Sequence, residues 1–95
     1  MHLRVKNLKL QFDIIKEGRD YIAYSPALDL ATSGRTIAEA KRMFKEAVEL
    51  FFETIIENGS FKDTLSNLGW QVSGKKLTPP LIIGRDVRTV SLSLA

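Results

Sequence analysis

The sequence predicts an α+β fold in two layers, with a small sheet covered on one face by helices. Three observations lead to this prediction: an alternating apolar stretch lies close to an aromatic stretch, a long segment with helical periodicity follows them, and a short second helical segment comes next. Because the strands precede the helices and do not alternate with them, helices on one side of the sheet are favoured. The predicted order is β-β-β-α-(α)-β, with an extra strand near the C-terminus.

The stretch LKLQFDI predicts the first strand. Its apolar residues share one face and its polar residues the other, as in a half-buried strand. The apolar set is Leu8, Leu10, Phe12 and Ile14. Leu3 and Val5 upstream have the opposite parity. Either a bulge separates the two sets or the strand begins at Leu8.

Two further strands are predicted after the glycine-containing loop KEGRD. YIAYS is rich in aromatic and branched residues, and it ends at Pro26, which lacks the N–H needed to continue a ladder. We expect this strand to form an antiparallel hairpin with the first. The short stretch LATS, just before Gly34, is interpreted as a third strand.

A long helix is predicted to begin after Thr36. The stretch TIAE matches a capping box, in which the Thr36 hydroxyl accepts from the Glu39 amide and the Glu39 carboxylate reaches back. Gly34 allows a tight turn before it. Apolar residues then recur at spacings of three and four until Asn58–Gly59, a stop signal, so the helix has about 22 residues.

The apolar face of this helix is wider than one small sheet can cover. It spans roughly 200° of the circumference, against the ~100° needed to pack on a sheet. The residues that widen it are Met43, Val48, Leu50 and Phe52. Two compatible interpretations are open: a second helix in SFKDTLSNLGW, capped by Ser60 and closed by Gly69, covers the excess, or the excess is a subunit interface.

The last part of the chain is predicted to contain two more strands. WQV forms one, SGKKLTPP is a loop, and LIIG is a short extended piece. The terminal VRTVSLSLA alternates Val90, Leu92 and Leu94 with hydroxyl residues, which predicts an amphipathic strand. We therefore expect one domain over residues 1–95, with its core at about 8–72 and a loop and strand at 73–95.

The composition argues against catalysis. The chain has no cysteine and a single histidine, His2, which excludes thiol chemistry and leaves no pair of histidines for a site. No glycine-rich phosphate loop is present. The remaining route is metal-bound carboxylates, for which Asp13, Asp29 and Glu53 are conceivable members. We expect no enzymatic activity, no metal and no cofactor.

The basic residues of the chain form no continuous tract. The net charge is +3, and its basic residues are spread along the chain, which leaves nucleic-acid binding open as an alternative. No stretch approaches the ~20 apolar residues of a membrane helix, and the N-terminal residues lack the apolar run of a signal peptide. A cytoplasmic location without membrane association is therefore expected.

The second half of the long helix is acidic. Its carboxylates are Glu46, Glu49, Glu53 and Glu57. The last three are four residues apart and so line one face, and anions near the C-terminus of a helix oppose its dipole. This face is either an ordinary solvated surface or a strip that meets a basic partner.

The stretch YIAYSPALDLATSGRTIAEAKRMFKEAVELFF resembles the core signature of HicB-like antitoxins. That family shows an aromatic strand ending in a proline, a short strand carrying serine and glycine, and a Thr or Ser cap with Glu–Ala at the helix start. The matching residues here are Tyr21, Ala23, Pro26, Ser33, Gly34, Thr36, Glu39 and Ala40. The similarity continues through the second short helix and covers about residues 8–70.

The resemblance implies a reduced RNase H-like fold without the nuclease carboxylates. It also implies a function, namely binding and neutralising a HicA-like toxin, a small basic mRNA-cleaving ribonuclease. The residues expected to define the fold, and not a site, are Pro26, Ser33, Gly34, Thr36, Glu39 and Gly59. Only 25 residues follow Trp70, so we expect the short form of the family, without an appended DNA-binding domain.

Two alternatives remain: an orphan homo-oligomeric scaffold, and a nucleic-acid-binding protein with a degenerate RNase H-like fold. A dimer or tetramer is expected, because an unpaired amphipathic strand and a wide apolar helix face both favour association. The competing account is a compact monomer, in which the second helix and an intramolecular strand cover both. The residues predicted for the interface of the dimer or tetramer are Met43, Leu50, Phe52, Val90, Leu92 and Leu94.

Overall fold

The α+β class is confirmed by a computed structural model, which describes residues 8–94. A three-stranded sheet is followed by a long helix, a short helix and a two-stranded sheet. In chain order the elements are β1 (Asp13–Glu17), β2 (Asp20–Ser25), β3 (Leu30–Gly34), α1 (Ile37–Glu57), α2 (Phe61–Asn67), β4 (Gln71–Ser73) and β5 (Lys76–Thr78). The predictions for His2, Leu3 and Val5 lie outside the described residues.

The larger sheet is antiparallel, with the order β1-β2-β3. A two-residue turn at Gly18–Arg19 joins the first two strands, and Gly18 supplies the positive φ of 61° that such hairpin turns require. As predicted, β2 ends directly before Pro26. The chain reverses between Pro26 and Asp29, whose N–H donates to the Pro26 carbonyl at 3.3 Å.

The prediction that the first strand begins at Leu8 is wrong, since β1 begins at Asp13. Asp13 pairs with Tyr24, so only Phe12 would still face β2, at Ser25, before Pro26 turns the chain away. The predicted apolar side is still used. Leu8 and Leu10 pack against the core, and the ring of Phe12 stacks on Phe44 with centroids 4.6 Å apart.

The helix α1 begins and ends where the sequence predicts. The Thr36 hydroxyl accepts a hydrogen bond from the Glu39 amide at 3.0 Å, which is the N-cap half of the capping box. At the other end Gly59 adopts a φ of 69° and donates to the Ile56 carbonyl, while Ser60 N–H reaches Ile55. These two bonds form a Schellman motif.

The expected N-cap role of Ser60 is not observed. Its side chain makes no capping hydrogen bond to α2, because its backbone is held in the Schellman turn that closes α1. The end of α2 repeats the same device. Gly69 has a φ of 89°, and Trp70 N–H donates to the Leu65 carbonyl at 3.0 Å, so the buried side chains of Trp70 and Leu65 are brought together.

Gly34 is required by a close approach between β3 and the first turn of α1. A Cβ atom at Gly34 would lie 2.7 Å from the Ala40 nitrogen and 3.0 Å from the Glu39 carbonyl carbon. Its φ is not positive, so turn geometry is not the reason for the glycine. Beside it, the Thr32 hydroxyl donates to the Ala40 carbonyl at 3.1 Å. The strand and the helix therefore touch at backbone distance.

The core consists of two clusters that α1 connects. The first lies between α1 and the sheet and contains Ala23, Ala40 and Phe44. The second surrounds α2 and contains Ala27, Leu28, Ile55, Phe61, Leu65 and Trp70. The Trp70 Nε1–H donates to the buried Ala27 carbonyl at 2.7 Å, which fixes the β2–β3 connection to the start of the smaller sheet.

The second helix covers part of the wide apolar face of α1, which is the first of the two interpretations open from the sequence. Phe52 is half-buried, with its ring 6.4 Å from Phe61 and 6.1 Å from Trp70. Met43 and Leu50 are not covered in the described chain, and their exposed fractions are 40% and 63%. The face that remains uncovered is therefore the one that borders β3.

The C-terminal part differs from the prediction in two ways. The expected loop contains β5, which pairs with β4 across a two-residue Gly74–Lys75 turn. The expected terminal strand does not form: residues 79–94 have no regular secondary structure, and the side chains of Val90, Leu92 and Leu94 are 71%, 82% and 94% exposed. A strand needs a neighbour to satisfy its backbone groups, and none lies beside this segment within residues 8–94.

The Gly34→Ala substitution should destabilise the protein by about 1–3 kcal/mol, because the added Cβ meets backbone atoms that cannot move without shifting the start of α1. Urea denaturation followed by circular dichroism measures the change. The matched control is Gly84→Ala, at a position where a Cβ meets nothing within 4 Å and φ is ordinary. Equal stabilities of the two variants would contradict the role given to Gly34.

Candidate protein interface

The four predicted carboxylates all lie on the exposed side of α1. Glu46, Glu49, Glu53 and Glu57 are exposed, and the last turn of the helix contains no basic residue. Glu49 has a loose partner in Lys45, at 4.0 Å between two largely exposed side chains. Exposed pairs of this kind contribute little, so the strip remains negatively charged.

Leu50 lies at the edge of this acidic face. On a helix, residues three and four apart are neighbours, so Leu50 has Glu46 and Glu53 on one side and Ala47 and Thr54 on the other. Its side chain is 63% exposed. An exposed apolar side chain beside carboxylates is typical of a binding surface with a polar rim.

An apolar groove runs beside Leu50, between α1 and β3. Its volume is about 350 Å³, and it is lined by Leu30, Ala47, Leu50, Phe51, Thr54 and Ile55. The Thr54 hydroxyl donates back to the Leu50 carbonyl at 2.7 Å, so it presents its methyl group without an unused donor. β3 pairs only with β2 in the described chain, so its other edge is without a strand, and the groove meets β3 at its first residue, Leu30.

Sequence reasoning identified Leu50 but missed the rest of the groove. Ala47, Leu50 and Thr54 follow one another at spacings of three and four, which places them along one side of the helix. The helical periodicity of the sequence therefore already indicated that these three residues share one side of α1. The contribution of Leu30 depends on how α1 crosses β3, which periodicity does not specify.

The predicted interface residues do not form one surface. Met43 and Leu50 lie on the β3 side of α1, whereas Phe52 lies on the opposite side, in the aromatic cluster with Phe61 and Trp70. The apolar groove on that side is lined by Leu8, Leu10, Val48, Glu49, Phe52, Ile56, Phe61 and Leu77. Val90, Leu92 and Leu94 are exposed and lie in the C-terminal segment, which comprises residues 79–94.

The base of the C-terminal segment is held beside β1. The Gln11 Oε1 accepts from the Ile82 N–H at 2.6 Å, and its Nε2 lies 3.5 Å from the Ile82 carbonyl. Arg85 forms an ion pair with Asp13. Beyond it, Asp86 accepts from Arg88 at 2.8 Å. The segment is thus attached on the β1 side of the sheet, opposite to β3.

The three candidate metal carboxylates have separate roles. Asp13 pairs with Arg85, Asp29 accepts from the Tyr24 hydroxyl at 3.1 Å, and Glu53 lies on the exposed side of α1. The hydrogen bond to Asp29 raises the pKa of Tyr24, because it favours the protonated phenol. Within residues 8–94, no group of three His, Cys, Asp or Glu side chains is placed to hold a metal ion.

The fold-defining residues are placed as follows. Pro26, Gly34, Thr36 and Gly59 each end or begin an element, and Glu39 supplies the amide that Thr36 caps. Ser33 differs from them: it pairs with Ile22 and its side chain is exposed on the face of the sheet away from α1.

No protein-family model, curated protein or solved structure matches this chain. Any function inferred for these surfaces therefore depends on the residues of this chain alone. In the part of the chain that the structure describes, no helix combines the length and the apolar character needed to cross a membrane.

Replacing Leu50 with Ala should change the free energy of unfolding by less than about 1 kcal/mol, since the side chain is mostly in water. The same substitution at Leu65, which is fully buried, should cost about 2–5 kcal/mol. Chemical denaturation of the two variants measures both values. A large loss at Leu50 would mean that its side chain supports the core and is not a free surface residue.

Proposed function

We propose that this chain is a non-enzymatic, antitoxin-like protein of the cytoplasm that binds and neutralises a HicA-like, mRNA-cleaving toxin. The proposal includes the reduced RNase H-like fold of HicB-like proteins as the scaffold. The observation that supports it most directly is the acidic half of α1, with Leu50 exposed among its carboxylates.

The charge of this surface suits such a partner. A small ribonuclease must carry a cationic surface to hold the phosphates of its RNA substrate. The acidic face of α1 has four carboxylates and no basic residue in the last turn of the helix. These carboxylates can bind the cationic surface of the ribonuclease in place of the RNA phosphates. The protein as a whole has a net charge of +3, so the attraction depends on this local arrangement and not on the total charge.

The geometry adds an apolar centre to the charges. Charged groups at the rim of an interface mainly speed association and select the partner, whereas a desolvated apolar centre supplies affinity. Leu50 is in position to be that centre. An acidic face that borders an exposed leucine therefore favours the interpretation as a protein-binding surface over that of an ordinary solvated face.

A homo-oligomeric scaffold without a toxin partner is the second candidate. It is favoured by one observation, the exposed apolar residues of the C-terminal segment. Both candidates are non-enzymatic, and binding to a toxin separates them. Nucleic-acid binding has weaker support, because the basic residues are scattered along the chain.

Reversing the helix charges should weaken toxin binding. In a Glu46→Lys, Glu53→Lys, Glu57→Lys variant, we expect the Kd for a HicA-like toxin encoded beside this chain to rise at least about tenfold, because attraction becomes repulsion. Calorimetric titration at two salt concentrations measures the change. The control is Glu17→Lys, an exposed carboxylate at the end of β1.

The wild-type chain should also restore growth to cells that express the toxin, and the triple variant should not. Unchanged affinity in the triple variant would contradict the acidic face as the binding surface. Absence of any toxin binding by the wild type would contradict the antitoxin function itself.

The chain should leave RNA intact in the presence of Mg²⁺ or Mn²⁺. Asp13, the candidate carboxylate on β1, has an arginine partner and does not converge with other carboxylates in the described residues. Gel analysis of single-stranded and structured RNA measures cleavage. RNA cleavage that is lost in an Asp13→Asn variant would show that the protein is an enzyme.

A further inference from the structure

Residues 87–94, the end of the C-terminal segment, have the pattern of a strand but no neighbouring strand within residues 8–94. From Val87 to Leu94, apolar Val90, Leu92 and Leu94 alternate with Thr89, Ser91 and Ser93. Every one of the three apolar side chains is at least 71% exposed. Leaving three large apolar side chains in water, in a segment with unpaired backbone groups, is unfavourable, and pairing with a sheet edge removes both costs.

β3 offers an edge that fits this segment. Within residues 8–94, one side of β3 pairs with β2 and the other has no strand beside it. A strand added there would point alternate side chains toward α1, because side chains alternate between the two faces of a sheet. Those side chains would enter the apolar groove formed by Leu30, Ala47, Leu50, Phe51, Thr54 and Ile55.

The dimensions agree. Residues 87–94 span about 26 Å when extended, at ~3.3 Å per residue. β3 has five residues, so the segment is long enough to cover its whole edge. The spacing of the segment also places three apolar side chains on one face, which matches the apolar lining of the groove.

The C-terminal segment is attached on the β1 side of the larger sheet, so it does not reach β3 of its own chain directly. The ion pair of Arg85 with Asp13 and the hydrogen bonds between Gln11 and Ile82 hold its base beside β1. The order β1-β2-β3 places β3 two strand spacings away, roughly 10 Å, across the sheet. Crossing that distance would use residues that are needed for pairing.

We propose that residues 87–94 of one copy of the chain add as a strand to the open edge of β3 in a second copy, with Val90, Leu92 and Leu94 in the groove beneath α1. The exchange is reciprocal, so two copies form a closed dimer with both edges paired. The proposal extends beyond toxin binding and does not depend on it. Leu50 lines the groove, so strand addition and toxin binding compete for it, whereas the carboxylates of α1 remain outside the groove.

Cross-linking tests the contact directly, because the chain contains no cysteine. A copy with Val90→Cys is mixed with a copy with Thr54→Cys and oxidised, so that any disulfide between the two variants joins two chains. A mixed dimer is expected. The matched control replaces Val90→Cys with Ser91→Cys, whose side chain faces away from the groove and should give at least tenfold less product.

The mass in solution tests the energetic role of the apolar residues. Light scattering should give a dimer for the wild type at micromolar concentration. A Val90→Asp, Leu92→Asp variant should raise the dimer dissociation constant at least tenfold, whereas Ser91→Asp, Ser93→Asp should change it little. Both pairs of substitutions lie outside the folded core, so neither should alter the helical signal of the circular dichroism spectrum.

Several results would overturn the proposal. They are a monomer at every concentration, a dimer that persists after Val90→Asp, Leu92→Asp, and equal cross-linking from Val90→Cys and Ser91→Cys. A variant carrying both Val90→Cys and Thr54→Cys tests the alternative within one chain. If its disulfide forms within a chain that has the mass of a monomer, the segment occupies its own groove, and this result would also overturn the proposal. These results leave the charge-reversal experiment on the carboxylates unaffected.

Discussion

The structure depends on the backbone contact between the end of β3 and the first turn of α1. Gly34 lies so close to Ala40 that a single added carbon would stand 2.7 Å from the Ala40 nitrogen. Thr32 bonds the Ala40 carbonyl from the same strand, and Thr36 caps the helix between them. Only Gly34, which has no side chain, allows this close approach, so the contact at Gly34 fixes the position of α1 on the sheet.

That placement decides which faces of α1 are buried and which are available. With Ala40 against Gly34, Phe44 is turned onto the sheet and toward Phe12, and Ile55 reaches the second core cluster. The carboxylates are left in water on the opposite side. The groove beside Leu50 arises because α1 lies over β3, whose outer edge has no strand beside it among the described residues. The surfaces proposed for binding are thus consequences of one close contact.

Much of the fold could be predicted because its signals are local. The Thr36 cap, the Asn58–Gly59 stop and the strand-ending Pro26 each act within a few residues, and each is confirmed. The failures arise where a distant partner decides the outcome. β1 begins at Asp13 because only Ser25 of β2 lies beyond its partner Tyr24 before Pro26 turns the chain away, and the terminal segment stays irregular because no sheet edge lies beside it within residues 8–94.

The candidate site follows the same division. The acidic strip and Leu50 could be predicted from helical spacing alone. The groove could not, because Leu30 joins it only through the crossing of α1 over β3. The β4–β5 hairpin was missed. Gly74, at the two-residue turn between Val72 and Leu77, is a hairpin signal, but the strands on either side have only three residues and are too short to strengthen that signal.

Native-state hydrogen exchange tests the central claim most directly. If the contact at Gly34 joins strand and helix into one cooperative unit, the slowest amides of β2, β3 and the first half of α1 share one opening free energy, equal to that of global unfolding. The same amides should also converge on one denaturant dependence. Opening of the first half of α1 at a clearly lower free energy, while β2 and β3 stay protected, would contradict the account.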